Sequence, residues 1–297
     1  MTHIHVDGAS YEVRTGGHGP PLLLIHGFTG RGLDWAPFLP ALRREMTTIT
    51  VDLLGHGQSD SPPEPARHAI ERQAADLAAV LRRLDAAPAD VVGYSLGARV
   101  ALRMAAASGG VVRRLMLESP SAGIADAKLR AARREADESL ARLLDDRGIE
   151  AFVERWENLP LFAPERRLPP ATRARLHAMR LTNVPAGLAA SLRGAGQGSM
   201  EPLQRRLVRV KAPTLVVAGA LDEAGRSRAE AIAAAIPGAR LTIVEDVGHA
   251  PHREAPDRFA TLLRDFVARE PAGRSAARGP RPGKALPVRI EDERTRS

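Results

Sequence analysis

The sequence predicts an α/β protein: a mostly parallel, doubly wound sheet with a helical cap inserted into it. Three observations carry this expectation. Short apolar runs alternate with amphipathic stretches along most of the chain. One junction of the two kinds is the turn Gly93-Tyr94-Ser95-Leu96-Gly97, which follows Val91-Val92 and opens an amphipathic stretch. Between about residues 122 and 207 the alternation stops and only helical patterns remain.

In chain order, Ile4–Val6 and Tyr11–Arg14 read as two leading antiparallel strands that form a hairpin. Leu22–His26, Thr47–Asp52, Asp90–Gly93, Arg113–Glu118, Pro213–Gly219 and Arg240–Glu245 follow as further strands. Helical stretches lie between them at Trp35–Glu45, Ile70–Leu84, Ala98–Ala107, Arg228–Ala235 and Pro256–Arg269. Such alternation builds a sheet covered on both faces, with its chemistry beyond the carboxyl ends of the strands. The helical segments Ala127–Leu144, Ile149–Asn158, Pro170–Leu181 and Gly187–Gly194 read as a cap over that rim. The expected division is a core of residues 1–121 and 208–270, a cap of 122–207 and a basic tail of 271–297.

At 297 residues the chain holds one large domain with room for a lid. The lack of cysteine excludes disulfides, thiolate metal sites and a cysteine nucleophile, and it fits a reducing, cytoplasmic setting. No stretch of about 18 apolar residues and no leader pattern is present, so neither a membrane span nor export is expected. The formal charge of +8 is shared with the tail, where seven basic and three acidic residues supply half of it. That tail is rich in Pro, Gly, Ala and Arg and reads as a disordered, solvated extension. No aromatic residues interleave its charges, which argues against nucleic-acid binding.

A serine hydroxyl is a weak base and nucleophile at neutral pH. It needs an imidazole to accept its proton and a carboxylate to orient that imidazole. On this kind of sheet the chain order is serine, acid, histidine. Asp222 lies just beyond the strand ending at Gly219, and His249 just beyond the strand ending at Glu245, so Ser95, Asp222 and His249 are the expected triad. Glu118 and Glu223 are rivals for the acid and His252 for the histidine. His26 and His56 read as structural, and the histidines lack metal-type spacing, so no metal is expected. An oxyanion hole takes two backbone N–H groups, here Leu96 after the serine and Phe28 in the loop His26-Gly27-Phe28-Thr29-Gly30.

Over residues 20–267 the chain resembles the α/β-hydrolase superfamily. The resemblance rests on Leu22-Leu-Leu-Ile-His-Gly-Phe, Val51-Asp-Leu-Leu-Gly-His-Gly-Gln-Ser, Val92-Gly-Tyr-Ser-Leu-Gly, Gly219-Ala-Leu-Asp and Val247-Gly-His. Further motifs are similar to one family, the 2-succinyl-6-hydroxy-2,4-cyclohexadiene-1-carboxylate synthases of menaquinone synthesis. They are Gly93-Tyr-Ser-Leu-Gly-Ala-Arg99, Glu118-Ser-Pro-Ser-Ala-Gly, Trp156-Glu-Asn-Leu-Pro-Leu-Phe162, Met179-Arg-Leu-Thr-Asn183 and Gly187-Leu-Ala-Ala-Ser-Leu-Arg-Gly194. This resemblance implies an elimination: Ser95, activated by His249, removes a ring proton from an enolpyruvyl intermediate, and pyruvate leaves. It implies no cofactor, and a small polycarboxylate as the substrate.

The arginines fit such a substrate, because guanidinium forks match carboxylates in bidentate geometry. Arg99 follows Ser95 by four residues, about one helical turn. Arg133 and Arg180 match the family's other substrate-binding arginines, Trp156 matches a cap aromatic, and Tyr94 sits in the turn itself. Three positions depart from the family pattern. Gly225, followed by Arg226, stands three after Asp222 where lysine is frequent, Ala98 replaces a glycine and Leu54 a proline. A serine hydrolase of esters or C–C bonds is the competing expectation, and a silent binding module acting through the tail is a third. The expected assembly is a monomer or small homo-oligomer.

Overall fold

A computed structural model describes residues 2–107 and 110–268. The basic tail, 271–297, lies outside the described residues. Eight strands form a single sheet: β1 (Thr2–Val6), β2 (Ala9–Gly16), β3 (Pro21–Ile25), β4 (Thr47–Val51), β5 (Ala89–Tyr94), β6 (Val112–Glu118), β7 (Thr214–Gly219) and β8 (Arg240–Val244). Their spatial order is β1-β2-β4-β3-β5-β6-β7-β8. The β1–β2 and β2–β4 pairs are antiparallel and the remaining five are parallel. Asp7 and Gly8, both at positive φ, close the β1–β2 hairpin in the two-residue turn that matches strand twist.

The parallel strands are buried on both faces, and their side chains alternate between two cores. Leu23, Ile25, Val91, Leu117 and Val216 face one core, and Leu22, Leu24, Val92, Met116 and Val217 face the other. Nine α-helices occur among the described residues. On the core they are α1 (Leu39–Leu42), α2 (Ile70–Arg83) and α3 (Leu96–Ala106). In the insertion they are α4 (Ala127–Glu157), α5 (Pro170–Leu181) and α6 (Pro185–Ala195). After it come α7 (Glu223–Ala235), α8 (Pro251–Glu254) and α9 (Pro256–Ala268). Helices α2, α3 and α7 cover the first face, and α1 and α9 the second.

Two helices differ from expectation. The single helix expected over Trp35–Glu45 is a 3-10 turn, Gly32–Trp35, followed by the four-residue α1. Pro37 and Pro40 each lack the N–H that a continuous helix needs, and Pro40 is tolerated only because it starts the second piece. Helix α7 begins five residues before the expected Arg228, because the Asp222 carboxylate caps it by accepting a 2.8 Å hydrogen bond from the Gly225 N–H.

Residues 122–207 add no strand to the sheet. Helix α4 is bent at Gly148, whose φ of 77° separates the two helices expected from sequence. A 3-10 segment, Pro160–Arg167, then leads into α5 and α6. Together these helices enclose a small core of their own around Leu144, Phe152, Val153, Leu188 and Leu192. Phe28, from the loop after β3, packs against both this core and that of the sheet. No helix among the described residues is long and apolar enough to cross a membrane.

Candidate active site

The order of strands reverses at β3, whose neighbours are β4 on one side and β5 on the other. Loops leaving β3 and β5 therefore diverge and open a crevice at their carboxyl ends. Ser95 sits there, between β5 and α3, at φ 50° and ψ −103°. Its N–H donates to the Glu118 carbonyl at 2.9 Å, which holds the turn. A non-glycine residue at such angles stores on the order of 1–3 kcal/mol of strain. The flanking glycines are required by contact: a Cβ on Gly93 would lie 2.4 Å from the Gly97 carbonyl oxygen, and one on Gly97 2.4 Å from that of Ile25.

Ser95 Oγ lies 3.0 Å from His249 Nε2, and His249 Nδ1 lies 2.7 Å from Asp222 Oδ2. An ionised carboxylate only accepts, so the proton sits on Nδ1 and Nε2 is left to accept from the serine hydroxyl. The second Asp222 oxygen is held by the Gly225 N–H. Burial opposes ionisation of Asp222, but the His249 contact, the Gly225 N–H and the nearby Arg228 outweigh it, and its pKa falls below the ordinary value. The His249 loop is pinned from below: its carbonyl accepts from Ser119 Oγ at 2.8 Å, and the Gly248 and Ala250 N–H groups donate to Glu254.

The rival residues occupy other places. Glu118 Oε1 lies 2.8 Å from both the His252 N–H and its Nδ1, so these two buried groups pair with each other. Glu223 is exposed. His26 Nε2 accepts from the Leu53 N–H at 2.9 Å and ties the β3 loop to the β4 loop. His56, buried beside it, packs edge-on against Phe28 with ring centres 5.4 Å apart. Among the described residues no three metal-ligating side chains converge.

Leu96 is the first residue of α3, so its N–H has no partner within the helix. Among the described residues neither it nor the Phe28 N–H donates to a backbone acceptor. The Phe28 loop is fixed from the insertion, where Asn183 Nδ2 donates to the Thr29 carbonyl at 3.0 Å.

Above Ser95 lies a cavity of about 260 Å³ between sheet and insertion. Every side chain expected from sequence to bind substrate lines it: Tyr94, Arg99, Arg133, Trp156 and Arg180. Their states differ. Arg99 is buried, and among the described residues it makes no ion pair and donates only to the Ala195 carbonyl. Burial and the neighbouring Arg133 push its pKa down to about 10, against the pull of Asp137, so it stays charged at neutral pH. Arg133 spends its Nε on Asp137 at 2.9 Å, four residues along α4. Arg180, by contrast, is already neutralised, with Glu157 at 2.8 Å and Glu165 at 2.9 Å. Trp156 stacks on Phe152 at 5.6 Å and its indole N–H has no acceptor.

Two lining arginines escaped the sequence reading. Arg253 joins Asp34 of the core to Glu165 of the insertion, at 3.0 and 3.2 Å, with its guanidinium over the Tyr94 ring. Arg228 lines the cavity too, whereas Arg226 turns outward to Glu230 at 2.8 Å. A signal for Arg228 existed: it follows Ala224, another lining residue, by one helical turn. Reading the helix as starting at Arg228 hid that spacing.

The sequence model of the Alpha/beta hydrolase family matches residues 22–262. A Klebsiella pneumoniae (strain 342) protein named 2-succinyl-6-hydroxy-2,4-cyclohexadiene-1-carboxylate synthase is 33% identical, over 87% of this chain and 98% of its own. A Bacillus subtilis (strain 168) protein that bears the same name provisionally is 35% identical, over 88% and 96%. The solved structure of MenH from S. aureus superposes with a TM-score of 0.82 at 32% identity, covering 90% of this chain and 98% of that one. A malate-bound esterase from Thermogutta terrifontis superposes at 0.79 with 26% identity, covering 90% and 98%.

Proposed function

We propose, from the premise that the chain belongs to the 2-succinyl-6-hydroxy-2,4-cyclohexadiene-1-carboxylate synthase family of alpha/beta hydrolases, that it is the lyase its relatives' name describes. Its substrate is 2-succinyl-5-enolpyruvyl-6-hydroxy-3-cyclohexene-1-carboxylate, and pyruvate is the leaving group. The observation that carries this reading beyond kinship is Arg99: buried, charged, in no ion pair among the described residues, and on the helix that Ser95 opens. An unpaired buried cation is costly. A pocket for a neutral ester gains nothing from it, whereas a substrate with three carboxylates supplies the missing charge.

In that substrate the C2 hydrogen is acidified by the succinyl ketone and the ring alkene. Ser95, its own proton drawn to His249, takes this hydrogen as a proton. The electron pair becomes the C2–C3 double bond, the alkene shifts to C4–C5, and the C5–oxygen bond breaks. Enolpyruvate leaves with that pair, accepts the proton held by His249 and tautomerises to pyruvate. Asp222 holds the imidazole oriented and stabilises it while it is charged. The Leu96 and Phe28 N–H groups receive the negative charge that gathers on the ketone oxygen, and such donors are typically worth about 100- to 1,000-fold each. Arg99 and Arg133 bind carboxylates, with Tyr94 and Trp156 against the ring. Arg180, spent on Glu157 and Glu165, shapes the insertion that closes the cavity as a cap over the core. No step needs a cofactor, and the small anionic substrate fits a cytoplasmic enzyme, monomeric or a small homo-oligomer.

The test is pyruvate release from the enolpyruvyl intermediate by the purified protein, followed by coupled reduction to lactate. A rate no greater than the spontaneous one overturns the reading. A second reading, a serine hydrolase, draws on the Ser95–His249 contact and on the fold shared with an esterase. It requires burst release from an activated ester with a matching mass increase on Ser95.

A further inference from the structure

We propose that Arg228 is a third carboxylate-binding residue of the cavity, beside Arg99 and Arg133, which makes the site selective for anions bearing carboxylates at more than one point. The proposal rests on the lyase reading for the identity of the substrate, but its physical basis is separate. Five arginines line the cavity, and Arg180 and Arg253 are each matched by two carboxylates. Of Arg99, Arg133 and Arg228, only Arg133 is ion-paired among the described residues, with Asp137.

Arg228 is the least matched of all. It is half-buried, its Nε is shielded from solvent with no partner, and among the described residues its guanidinium makes no hydrogen bond or ion pair. The carboxylate that acts on it is Asp222, both of whose oxygens are already committed, one to His249 and one to the Gly225 N–H. An arginine with no functional partner on an exposed helix end turns outward to water, as Arg226 does two residues earlier. Burial and Arg133 both disfavour the charge on Arg228, and burial and Arg133 likewise disfavour that on Arg99. Arg133, which lines the same cavity, thus acts on both guanidinium groups. Three like charges lining one cavity are unfavourable in the empty protein and are relieved by a ligand that carries more than one negative charge. Asp222 supplies the geometric reference: it ties α7, and with it Arg228, to the His249 end of the cavity.

The experiment titrates propane-1,2,3-tricarboxylate and, separately, the monocarboxylate butyrate into the full chain by calorimetry at low salt. Wild type, Arg228→Gln, Arg228→Lys and the outward-facing control Arg226→Gln are compared. The proposal expects the tricarboxylate to bind wild type and Arg226→Gln alike, to bind Arg228→Gln at least tenfold more weakly, and to be partly restored in Arg228→Lys. In turnover, Arg228→Gln is to raise KM far more than it lowers kcat. Failure of wild type to bind the tricarboxylate overturns it, as does equal binding by Arg228→Gln, or an equal loss in Arg226→Gln. A loss confined to kcat with a shifted pH profile also overturns it, since that marks a cation acting only through Asp222. Tenfold weaker binding in Arg228→Gln alongside no pyruvate release by wild type upholds Arg228 as an anion ligand and removes the lyase reading alone.

Discussion

Two buried arginines line the same cavity and are held in opposite ways. Arg180, in the insertion, lies between Glu157 and Glu165, and the chain Asp34–Arg253–Glu165–Arg180–Glu157 runs from core to insertion with its charges alternating in sign. Arg99, on the sheet side, meets a backbone carbonyl and a neighbouring arginine, and the carboxylate that acts on it, Asp137, is paired with that arginine. Both are desolvated, but among the described residues only Arg180 is held in ion pairs. A buried guanidinium matched at every side is part of the scaffold. One left unmatched is a charge held ready for something that arrives.

The largest effect that tests this contrast is on the chemistry beside Arg99. Ser95→Ala removes the proposed base, and kcat is to fall by roughly 100- to 10,000-fold, the usual worth of a positioned base. The thermal midpoint is to stay near that of wild type, because among the described residues Oγ hydrogen-bonds only to His249. Single-turnover pyruvate release and a melting curve check both halves.

The next effect separates the two arginines by sign. Arg180→Leu leaves Glu165 to Arg253 and Glu157 to His177, and is to destabilise the fold by about 3 kcal/mol, the lower end for breaking a buried pair. Arg99→Leu removes an unmatched charge and is to leave stability equal or higher while cutting kcat/KM more than tenfold. Urea midpoints and steady-state kinetics on both variants decide it. A destabilised Arg99→Leu with near-normal kinetics breaks the contrast.

The smallest effect is acid-dependent. The folded state holds the Asp222 pKa below its ordinary value, so its contribution to stability is complete above about pH 4. It is lost as pH falls through the depressed folded value. Wild type is therefore to be more stable than Asp222→Asn at pH 7, with the gap closing under progressive acidification, measured by urea unfolding at each pH. A gap that is constant down to pH 2 removes the charge-based account of that contact.

Much of this arrangement is legible in one dimension. Strands such as Leu22–Ile25 and Val91–Val92 show because a parallel strand buried on both faces is an unbroken apolar run. The turn at Ser95 shows because its tight contacts exclude any Cβ at positions 93 and 97. Arg99 shows because helical spacing is a local rule. The broken helix after Trp35 was hidden by an apolar pattern that outweighed Pro37 and Pro40. The start of α7 was hidden by Gly225, which reads as loop until Asp222 is seen to cap it.

By itself, the sequence determined the order of elements, the rim on which Ser95, Asp222 and His249 gather, and the wealth of arginine above it. These follow from periodicity and chain order, which are local properties. Only the tertiary structure decided which arginines are spent and which are free. Arg180 and Glu165 are 15 residues apart, and Arg253 and Asp34 are 219 apart. Charge compensation depends on distance in space and on the loss of water, and neither is written along a chain.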